Sequence, residues 1–195
     1  MEHVSKLEAH IRDILSRKER VLVAIDGMAA SGKTTLARAL AGRLSSCAIV
    51  HMDDFTIPFE DRHPGYFEDM LSNADIVRFD REVLSPFLRG ETAAYRPYIC
   101  HPEPGFLSPV TIPADTRVLI VEGAYCLHPD LFERYDLRVL FAVSPETQRA
   151  RILARNGQAQ LERFLSTWIP MENRHIQARS LLQRCDLLLS ADQEP

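Results

Sequence analysis

A short stretch near the N-terminus, residues 21–35, constrains the fold of this chain more than any other. Residues 21–25 are all apolar and predict a buried strand. The pattern Gly-x4-Gly-Lys-Thr begins at Gly27, directly after that strand. Residues 35–44 then carry leucines one turn apart and predict a helix. A strand, a glycine-containing loop and a helix in direct succession are the context in which this pattern binds phosphate.

The residue types in the loop explain why it would bind a nucleoside triphosphate. Glycines let successive backbone N–H groups turn toward one anion, and the following helix adds its N-terminal partial positive charge. Lys33 is expected to reach the β- and γ-phosphates, and the Thr34 hydroxyl is expected to hold Mg²⁺. The alternative is a strand-to-helix turn without a ligand, which the flanking strand and helix disfavour. The predicted nucleotide-binding residues are Gly27, Met28, Ala29, Ala30, Ser31, Gly32, Lys33, Thr34 and Thr35.

Composition sets the broad class of the protein. The 195 residues include 46% hydrophobic and 26% charged residues, which predicts one globular domain. A net charge of -4 provides no overall attraction to nucleic acid or to an anionic membrane. The four cysteines form no Cys-x-x-Cys pair, and neither a signal-peptide pattern nor a membrane-spanning apolar run is present. We therefore expect a cytoplasmic protein with free thiols that binds neither nucleic acid nor membrane.

Acidic residues follow two further predicted strands. Residues 47–52 predict the second strand, with Asp53 and Asp54 at its end, and residues 116–123 predict the third, with Glu122 near its end. Because ligands bind outside the carboxyl ends of parallel strands, these acids are placed for chemistry. Glu122 is expected to hold Mg²⁺. Capping of a turn by the two aspartates, and a salt bridge for Glu122, are the alternatives.

Residues 56–113 differ in character from the rest of the chain, because prolines are dense and aromatic residues and histidines are interspersed. A helix near 80–88 and a short extended piece at 94–99 are predicted, with loop elsewhere. Long irregular segments within a domain commonly carry function, so this insertion is expected to bind an acceptor substrate. Tyr95, Arg96 and Tyr98 are candidates for contacting it, or for ordinary packing.

The C-terminal half predicts further helices and strands. Residues 135–143 and 186–190 predict the fourth and fifth strands, and residues 158–184 are largely helical. Ser144 and the proline after it predict the start of a helix. Arg151 and Arg155 lie four residues apart on one face of that helix. They could clamp triphosphate oxygens, or form a solvated basic face.

Several of these motifs together resemble the uridine kinase-like family of phosphate-loop kinases, which includes nicotinamide riboside kinase, pantothenate kinase and phosphoribulokinase. The matching pieces are Gly27-x4-Gly-Lys-Thr, Met52-Asp-Asp-Phe55, Val121-Glu-Gly123, Arg149-x-Arg151-x3-Arg155 and Trp168-x-Pro170. The Asp-Asp-Phe and Trp-x-Pro pieces are similar to those of nicotinamide riboside kinases. Ile99 stands where uridine kinases have an aspartate, so the resemblance does not name the acceptor.

The resemblance implies a fold and a set of roles. The fold is a three-layer α/β P-loop NTPase fold, with a five-stranded parallel sheet flanked by helices and an arginine-bearing lid. Asp53 matches the acid that accepts the proton of the acceptor hydroxyl. Asp54 occupies a position that varies within the family, and both aspartates are substrate-binding candidates. Glu122 matches the Mg²⁺-associated acid, and Arg151 and Arg155 match the lid arginines.

The sequence therefore predicts a single kinase domain over residues 1–195. It comprises an N-terminal amphipathic helix (1–19), a substrate-binding insertion (56–113) and a lid region (149–170). ATP and Mg²⁺ are the expected cofactors, and the partner is a small-molecule acceptor, with self-association left open. The expected reaction is transfer of the γ-phosphate to a hydroxyl of a nucleoside or riboside. The alternatives are a pantothenate or sugar-phosphate kinase, or a nucleoside triphosphatase that couples hydrolysis to a partner.

Overall fold

The computed structural model describes residues 2–62, 64–65, 74–100 and 103–192. The strands within these ranges are β1 (Val21–Gly27), β2 (Cys47–His51), β3 (Ala93–Tyr95), β4 (Tyr98–Ile99), β5 (Gly105–Phe106), β6 (Val110–Ile112), β7 (Val118–Glu122), β8 (Leu137–Ala142) and β9 (Leu187–Ser190).

The helices of the same ranges are α1 (Glu2–Leu15), α2 (Lys33–Ala41), α3 (Ile76–Phe79), α4 (Ser85–Arg89), α5 (Pro129–Phe132), α6 (Pro145–Asn156), α7 (Gln158–Arg163), α8 (Ile169–Ala178) and α9 (Leu181–Arg184). Two π-helical segments, Asp80–Leu84 and Phe164–Trp168, join α3 to α4 and α7 to α8. Single 3-10 turns lie at Met52–Phe55 and Phe59–Asp61.

A parallel sheet forms the centre of the molecule. Its strand order is β2-β7-β1-β8-β9, and each neighbouring pair of these strands is parallel. Every residue of β1 is buried, because this central strand is covered on both faces. The predicted five-stranded parallel sheet is therefore confirmed.

Alternate side chains of the strands face two separate cores. Val21, Val23 and Ile25 of β1 point toward α1 and α2, where they join one hydrophobic cluster. Leu22 and Ala24 point to the other face and pack in a second cluster with residues from α8, α9 and the 76–89 helical segment. Strand side chains alternate between the faces of a sheet. The sheet is thus the middle of three layers.

The insertion at 56–113 is described only in part, since residues 63, 66–73 and 101–102 lie outside the described residues. Its helical segment runs from α3 through α4, longer than the predicted 80–88, because Asp75 caps it by accepting the Arg78 N–H at 2.9 Å. Strands β3 and β6 pair antiparallel, as do β4 and β5. The second member of each pair lies where the sequence predicts loop, because strands of two or three residues carry no readable periodicity.

The C-terminal half agrees with its sequence signals. The Ser144 hydroxyl accepts the Thr147 N–H at 3.3 Å and caps α6, and Gly157, with φ 78°, ends it. Within the described ranges, no helix has both the length and the apolar character needed to cross a membrane.

Candidate active site

A cavity of about 860 Å³ lies at the carboxyl edge of the central sheet. It brings the phosphate loop together with Asp53 beyond β2, Glu122 at the end of β7, and Arg151 and Arg155 of α6. The remaining wall comes from the loop after β7, from α7, α8 and the segment that links them, and from the insertion. The structure thus gathers around one space residues that are up to 143 positions apart in the sequence, from Ala29 to Glu172.

The phosphate loop owes its shape to two glycines. Gly32 has φ 101°, a left-handed conformation that brings the chain into α2. A Cβ on Gly27 would lie 2.1 Å from the Phe141 carbonyl oxygen, so this position lets β1 approach β8. Because α2 begins at Lys33, the N-terminal end of that helix faces the cavity and favours an anion there.

Lys33 closes over the loop in which it lies. Its Nζ donates to the carbonyl oxygens of Gly27 and Met28 at 2.9 and 2.8 Å, and the residue is 8% exposed. A lysine ammonium held by two carbonyls at the cavity wall supplies a fixed positive charge for phosphate oxygens.

Thr34, Glu122 and His51 form a small polar group next to the loop. The Thr34 hydroxyl donates to Glu122 Oε1 at 2.9 Å, and His51 Nδ1 lies 2.5 Å from the same oxygen. Burial would raise the pKa of Glu122, but the contacts with His51 and Thr34 outweigh it and hold this pKa below its usual range. The hydrogen bond to Glu122 in turn raises the pKa of His51. Glu122 is therefore ionised at neutral pH.

The Thr34 hydroxyl and the Glu122 carboxylate suit a Mg²⁺ ion that arrives bound to a nucleotide. Mg²⁺ prefers oxygen ligands and is commonly held by one or two carboxylates together with substrate phosphates and water. Among the described residues, no group of three or more His, Cys, Asp or Glu side chains is arranged to hold a metal ion. The donor set at Thr34 and Glu122 thus fits a nucleotide-borne metal rather than an all-protein cage.

Asp53 lies on the 3-10 turn that follows β2, exposed to the cavity but surrounded by protein. Desolvation in this position raises the pKa of Asp53, and the nearby carboxylates of Glu122 and Asp54 raise it further, while Lys33 opposes them. A carboxylate with a raised pKa is a stronger proton acceptor. The residue therefore has the position and the basicity for a general base.

Asp53, one of the predicted acceptor-binding residues, lines the cavity, and the other four lie elsewhere. Asp54, Tyr95, Arg96 and Tyr98 are not among the described residues that line the cavity. The Tyr95 hydroxyl, on a side chain that is 3% exposed, donates to Asp54 Oδ2 at 2.9 Å. Burial raises the pKa of Asp54, against this hydrogen bond. These two residues join the 52–55 turn to β3.

Arg96 and Tyr98 have packing contacts in the same insertion. Arg96 donates to the carbonyl oxygens of Leu107 and Phe106 at 2.8 and 3.1 Å. Tyr98 is 4% exposed, and its ring packs edge-on against Phe106, with 5.2 Å between the ring centroids. Both residues hold the β4–β5 pair in place, so the packing alternative describes their geometry better than direct acceptor contact does.

Arg151 and Arg155, the two arginines of α6 that line the cavity, differ in their contacts. Arg151 Nη1 donates to the carbonyl oxygens of Ala30 and Ser31 at 3.2 and 3.1 Å, so it braces the phosphate loop. Arg155 Nε donates to Asn156 Oδ1 at 2.7 Å, and the residue lines the cavity. Of these two arginines, only Arg151 makes a described contact with the phosphate loop.

Sequence reasoning missed a buried acid and histidine on α8. Glu172 Oε2 accepts the Ala29 N–H at 2.9 Å, and His175 Nε2 lies 3.1 Å from Asp26 Oδ2. Burial raises the pKa of Glu172 to about 7, against the Ala29 hydrogen bond and Lys33. Burial would also raise the pKa of Asp26, but His175 and the Leu127 N–H outweigh it and lower this pKa.

The outer wall of the cavity is aromatic and basic. Phe59, Phe164 and Trp168 line it together with Arg62 and Arg163. The spacing of the three residues at 163, 164 and 168 is that of an ordinary helix, so only the folded structure shows which face meets the cavity. The motif Trp168-x-Pro170 was the one available signal.

Comparison with characterised proteins finds similarity to kinases. No protein-family model matches the chain. Nicotinamide riboside kinase of Eremothecium gossypii is 26% identical over 166 residues, which cover 74% of this chain and 67% of that protein. Human nicotinamide riboside kinase 2 is 28% identical over 140 residues, covering 70% of this chain and 58% of that protein. The tRNA-specific adenosine deaminase subunit tad2 of Schizosaccharomyces pombe is 29% identical over 147 residues, with 71% and 34% covered. The chain thus spans between 34% and 67% of the length of these relatives.

Solved structures show the same fold. A possible uridine kinase from Bacillus stearothermophilus superposes with a TM-score of 0.70 at 20% identity, covering 96% of this chain and 97% of that one. The YGR205w protein superposes with a TM-score of 0.65 at 13% identity, with 97% and 93% covered. The predicted three-layer P-loop NTPase fold is confirmed, as is the resemblance to uridine kinase-like and nicotinamide riboside kinase-like P-loop kinases.

Proposed function

We propose that this chain is an ATP-dependent kinase that transfers the γ-phosphate to a hydroxyl of a small metabolite. One observation carries the proposal: a single cavity joins the phosphate loop, with Lys33 and Thr34, to a basic carboxylate at Asp53. A donor site and a proton acceptor facing one space are what transfer to a hydroxyl needs. The kinase names of the similar proteins support the same reading.

In this proposal the residues that line the cavity have separate roles in phosphate binding, metal binding and proton transfer. The backbone of residues 27–35 and Lys33 bind the β- and γ-phosphates, and Thr34 and Glu122 are the residues that would hold the metal. Mg²⁺, when bound, neutralises phosphate charge during transfer. Asp53 orients the acceptor hydroxyl and accepts its proton as the hydroxyl oxygen bonds to the γ-phosphorus. The bond from that phosphorus to the β–γ bridging oxygen breaks, and ADP leaves. The chain thus supplies positioning and charge, which dominate phosphoryl transfer.

The lid region 149–170 has the task of excluding water. Arg155 neutralises the transferring group, and Arg151 keeps the loop in shape from the same helix. A closed cavity protects ATP from hydrolysis and strengthens the electrostatic interactions inside it. In this proposal residues 1–195 are one kinase domain, and the insertion at 56–113 forms part of the acceptor side.

A nucleoside or riboside is the acceptor that we favour. Phe59, Phe164 and Trp168 give the cavity an aromatic wall, against which a planar base or pyridine ring would pack. One face of Phe59 is already covered by the Arg62 guanidinium, 4.1 Å from the ring centroid. The named activity of the Eremothecium gossypii and human relatives is on a riboside. Pantothenate and sugar phosphates, whose anionic groups would suit Arg62 and Arg163, are the competing acceptors within the same reaction class.

Measurement of ATP consumption with Mg²⁺, with and without each member of an acceptor panel, tests this function. The panel contains nucleosides, nicotinamide riboside, pantothenate and sugar phosphates. We expect one acceptor to stimulate ATP consumption at least tenfold, with the phosphorylated product identified by mass spectrometry. Equal ATP hydrolysis with and without every acceptor would instead favour a nucleoside triphosphatase that acts on a partner.

A further inference from the structure

Glu172 is a buried acid whose main partner is the backbone of the phosphate loop. The residue is 6% exposed, and its Oε2 accepts the Ala29 N–H at 2.9 Å across 143 positions of sequence. A buried carboxylate is costly unless hydrogen bonds compensate it. The contact with Ala29 is therefore a specific feature of the fold rather than a chance approach of a surface side chain.

The same helix makes a second contact with the strand that leads into the loop. His175, one turn after Glu172 on α8, lies 3.1 Å from Asp26 through Nε2 and Oδ2. Asp26 is 1% exposed, and its Oδ1 also accepts the Gly27 N–H at 2.6 Å. Helix α8 thus holds the chain immediately before the loop and at its third residue.

Helix α6 holds the opposite side of the same peptide units. Gln148 Nε2 donates to the Ala29 carbonyl oxygen at 3.1 Å, next to the Arg151 contacts with the following two carbonyls. The N–H of Ala29 is thereby held by α8 and its C=O by α6. Opposed hydrogen bonds on one residue define the direction in which its backbone points.

We propose that Glu172 is a positioning residue for the phosphate donor: by accepting the Ala29 N–H, it keeps the first half of the phosphate loop in the shape that binds a triphosphate. The proposal rests on the proposed function to the extent that the loop binds ATP. It also makes the shape of the loop depend on the position of α8. Glu172 contacts Ala29 and His175 contacts Asp26, and both belong to that helix.

Two neutral substitutions separate the hydrogen bond from the charge. Glu172→Gln removes the negative charge but keeps a side-chain oxygen for the Ala29 N–H. Glu172→Met removes both the charge and the acceptor and keeps the length of the side chain. The Gln and Met variants are both neutral, and of the two only Gln keeps an oxygen acceptor for the Ala29 N–H. Glu146, an exposed glutamate in the first turn of α6, provides matched control variants to Gln and to Met.

The first measurement is ATP affinity by titration calorimetry with Mg²⁺. One lost hydrogen bond corresponds to roughly a tenfold change in Kd, so we expect Glu172→Met to bind ATP about tenfold more weakly than Glu172→Gln. The two Glu146 variants should bind ATP equally. Equal affinities of the two Glu172 variants would overturn the proposal.

The second measurement does not depend on nucleotide. Amide hydrogen exchange at Ala29 should be fast in Glu172→Met and as slow as wild type in Glu172→Gln, and exchange at the same rate in both would overturn the proposal. If Glu172→Met does not fold, Glu172→Ala provides a second variant that lacks the acceptor. Because Glu172 lines the cavity, water can occupy the space that this shorter side chain leaves. Wild-type protein that binds ATP but phosphorylates no acceptor would contradict the proposed function alone.

Discussion

At the scale of single residues, the two adjacent aspartates after β2 show how one turn separates chemistry from support. Asp53 faces the cavity with a raised pKa, whereas Asp54 accepts a hydrogen bond from the buried Tyr95. Neighbouring side chains on a tight turn point in different directions, so the two carboxylates meet different surroundings. Their identical chemistry therefore leads to different expected roles.

Asp53→Asn tests the role of the first aspartate. Asparagine keeps the shape but cannot accept the proton, so we expect the rate of phosphoryl transfer to fall by roughly 10²–10⁴-fold. ATP affinity should stay within about threefold of wild type, because the loop is untouched. Steady-state kinetics with the acceptor found in the panel, together with calorimetry, measure both quantities.

The adjacent Asp54→Asn is the matched control. It removes the charge but keeps an oxygen for the Tyr95 hydroxyl, so it should change the unfolding free energy by about 1 kcal/mol or less and change the transfer rate little. If Asp53→Asn turned over near the wild-type rate, Asp53 would lose its assignment as the base.

At the scale of elements, the junction of β1 with the phosphate loop depends on close contact between strands. Gly27 has φ 145°, and a Cβ there would lie 2.1 Å from the backbone oxygen of Phe141 on β8. Backbone atoms of a central sheet cannot move aside as the end of a flexible side chain can. This glycine is therefore required by strand packing, in addition to any contact with phosphate.

Gly27→Ala should destabilise the protein by about 3 kcal/mol or more, through overpacking and backbone strain. Gly42→Ala is the matched control, because Gly42 has φ -64° and its Cβ would lie 3.5 Å from the nearest atom, the Arg38 oxygen. We expect that variant to remain within about 1 kcal/mol of wild type. Urea denaturation followed by circular dichroism compares them, and equal stabilities would contradict the packing argument.

At the scale of the whole molecule, the attachment of the last strand links stability to pH. Asp186, just before β9, accepts the Arg138 backbone N–H, Nε and Nη2 at 2.7, 2.9 and 3.2 Å. Burial would raise the pKa of Asp186, but these hydrogen bonds outweigh it and lower the pKa. Because the folded pKa lies below the unfolded value, the ionised form stabilises the fold above about pH 4, and this contribution is lost as pH falls through the folded pKa.

Asp186→Asn should therefore be less stable than wild type by about 1 kcal/mol at pH 7, a value reduced for the partial exposure of the pair. This difference in unfolding free energy should shrink toward zero as the pH falls below the folded pKa of Asp186. There Asp186 becomes neutral like asparagine, while Arg138 stays charged. Urea denaturation at a series of pH values measures it. A difference that stays constant on acidification would rule out ionisation of Asp186 as its source.

Local signals made much of this molecule predictable from sequence. The phosphate loop, its flanking strand and helix, and the acids at two strand ends all follow from short patterns, and parallel strands bring their carboxyl ends to one edge. Glu172 and His175 carried no such signal, because their partners lie 143 and 149 positions away. Tyr95 and Arg96 had the chemistry of ligand contacts, and only packing in the insertion shows that their polar groups meet protein atoms.

The wall of the cavity also carries an intrinsic fluorescent probe of the chain. Trp168 is the single tryptophan in 195 residues, and it lies on that wall. All tryptophan fluorescence of this chain therefore originates beside the space in which a ligand would bind. Indole emission changes with the polarity of its surroundings, so a ligand that binds there should change it. Compounds can therefore be screened by light alone, before any product of the reaction is known.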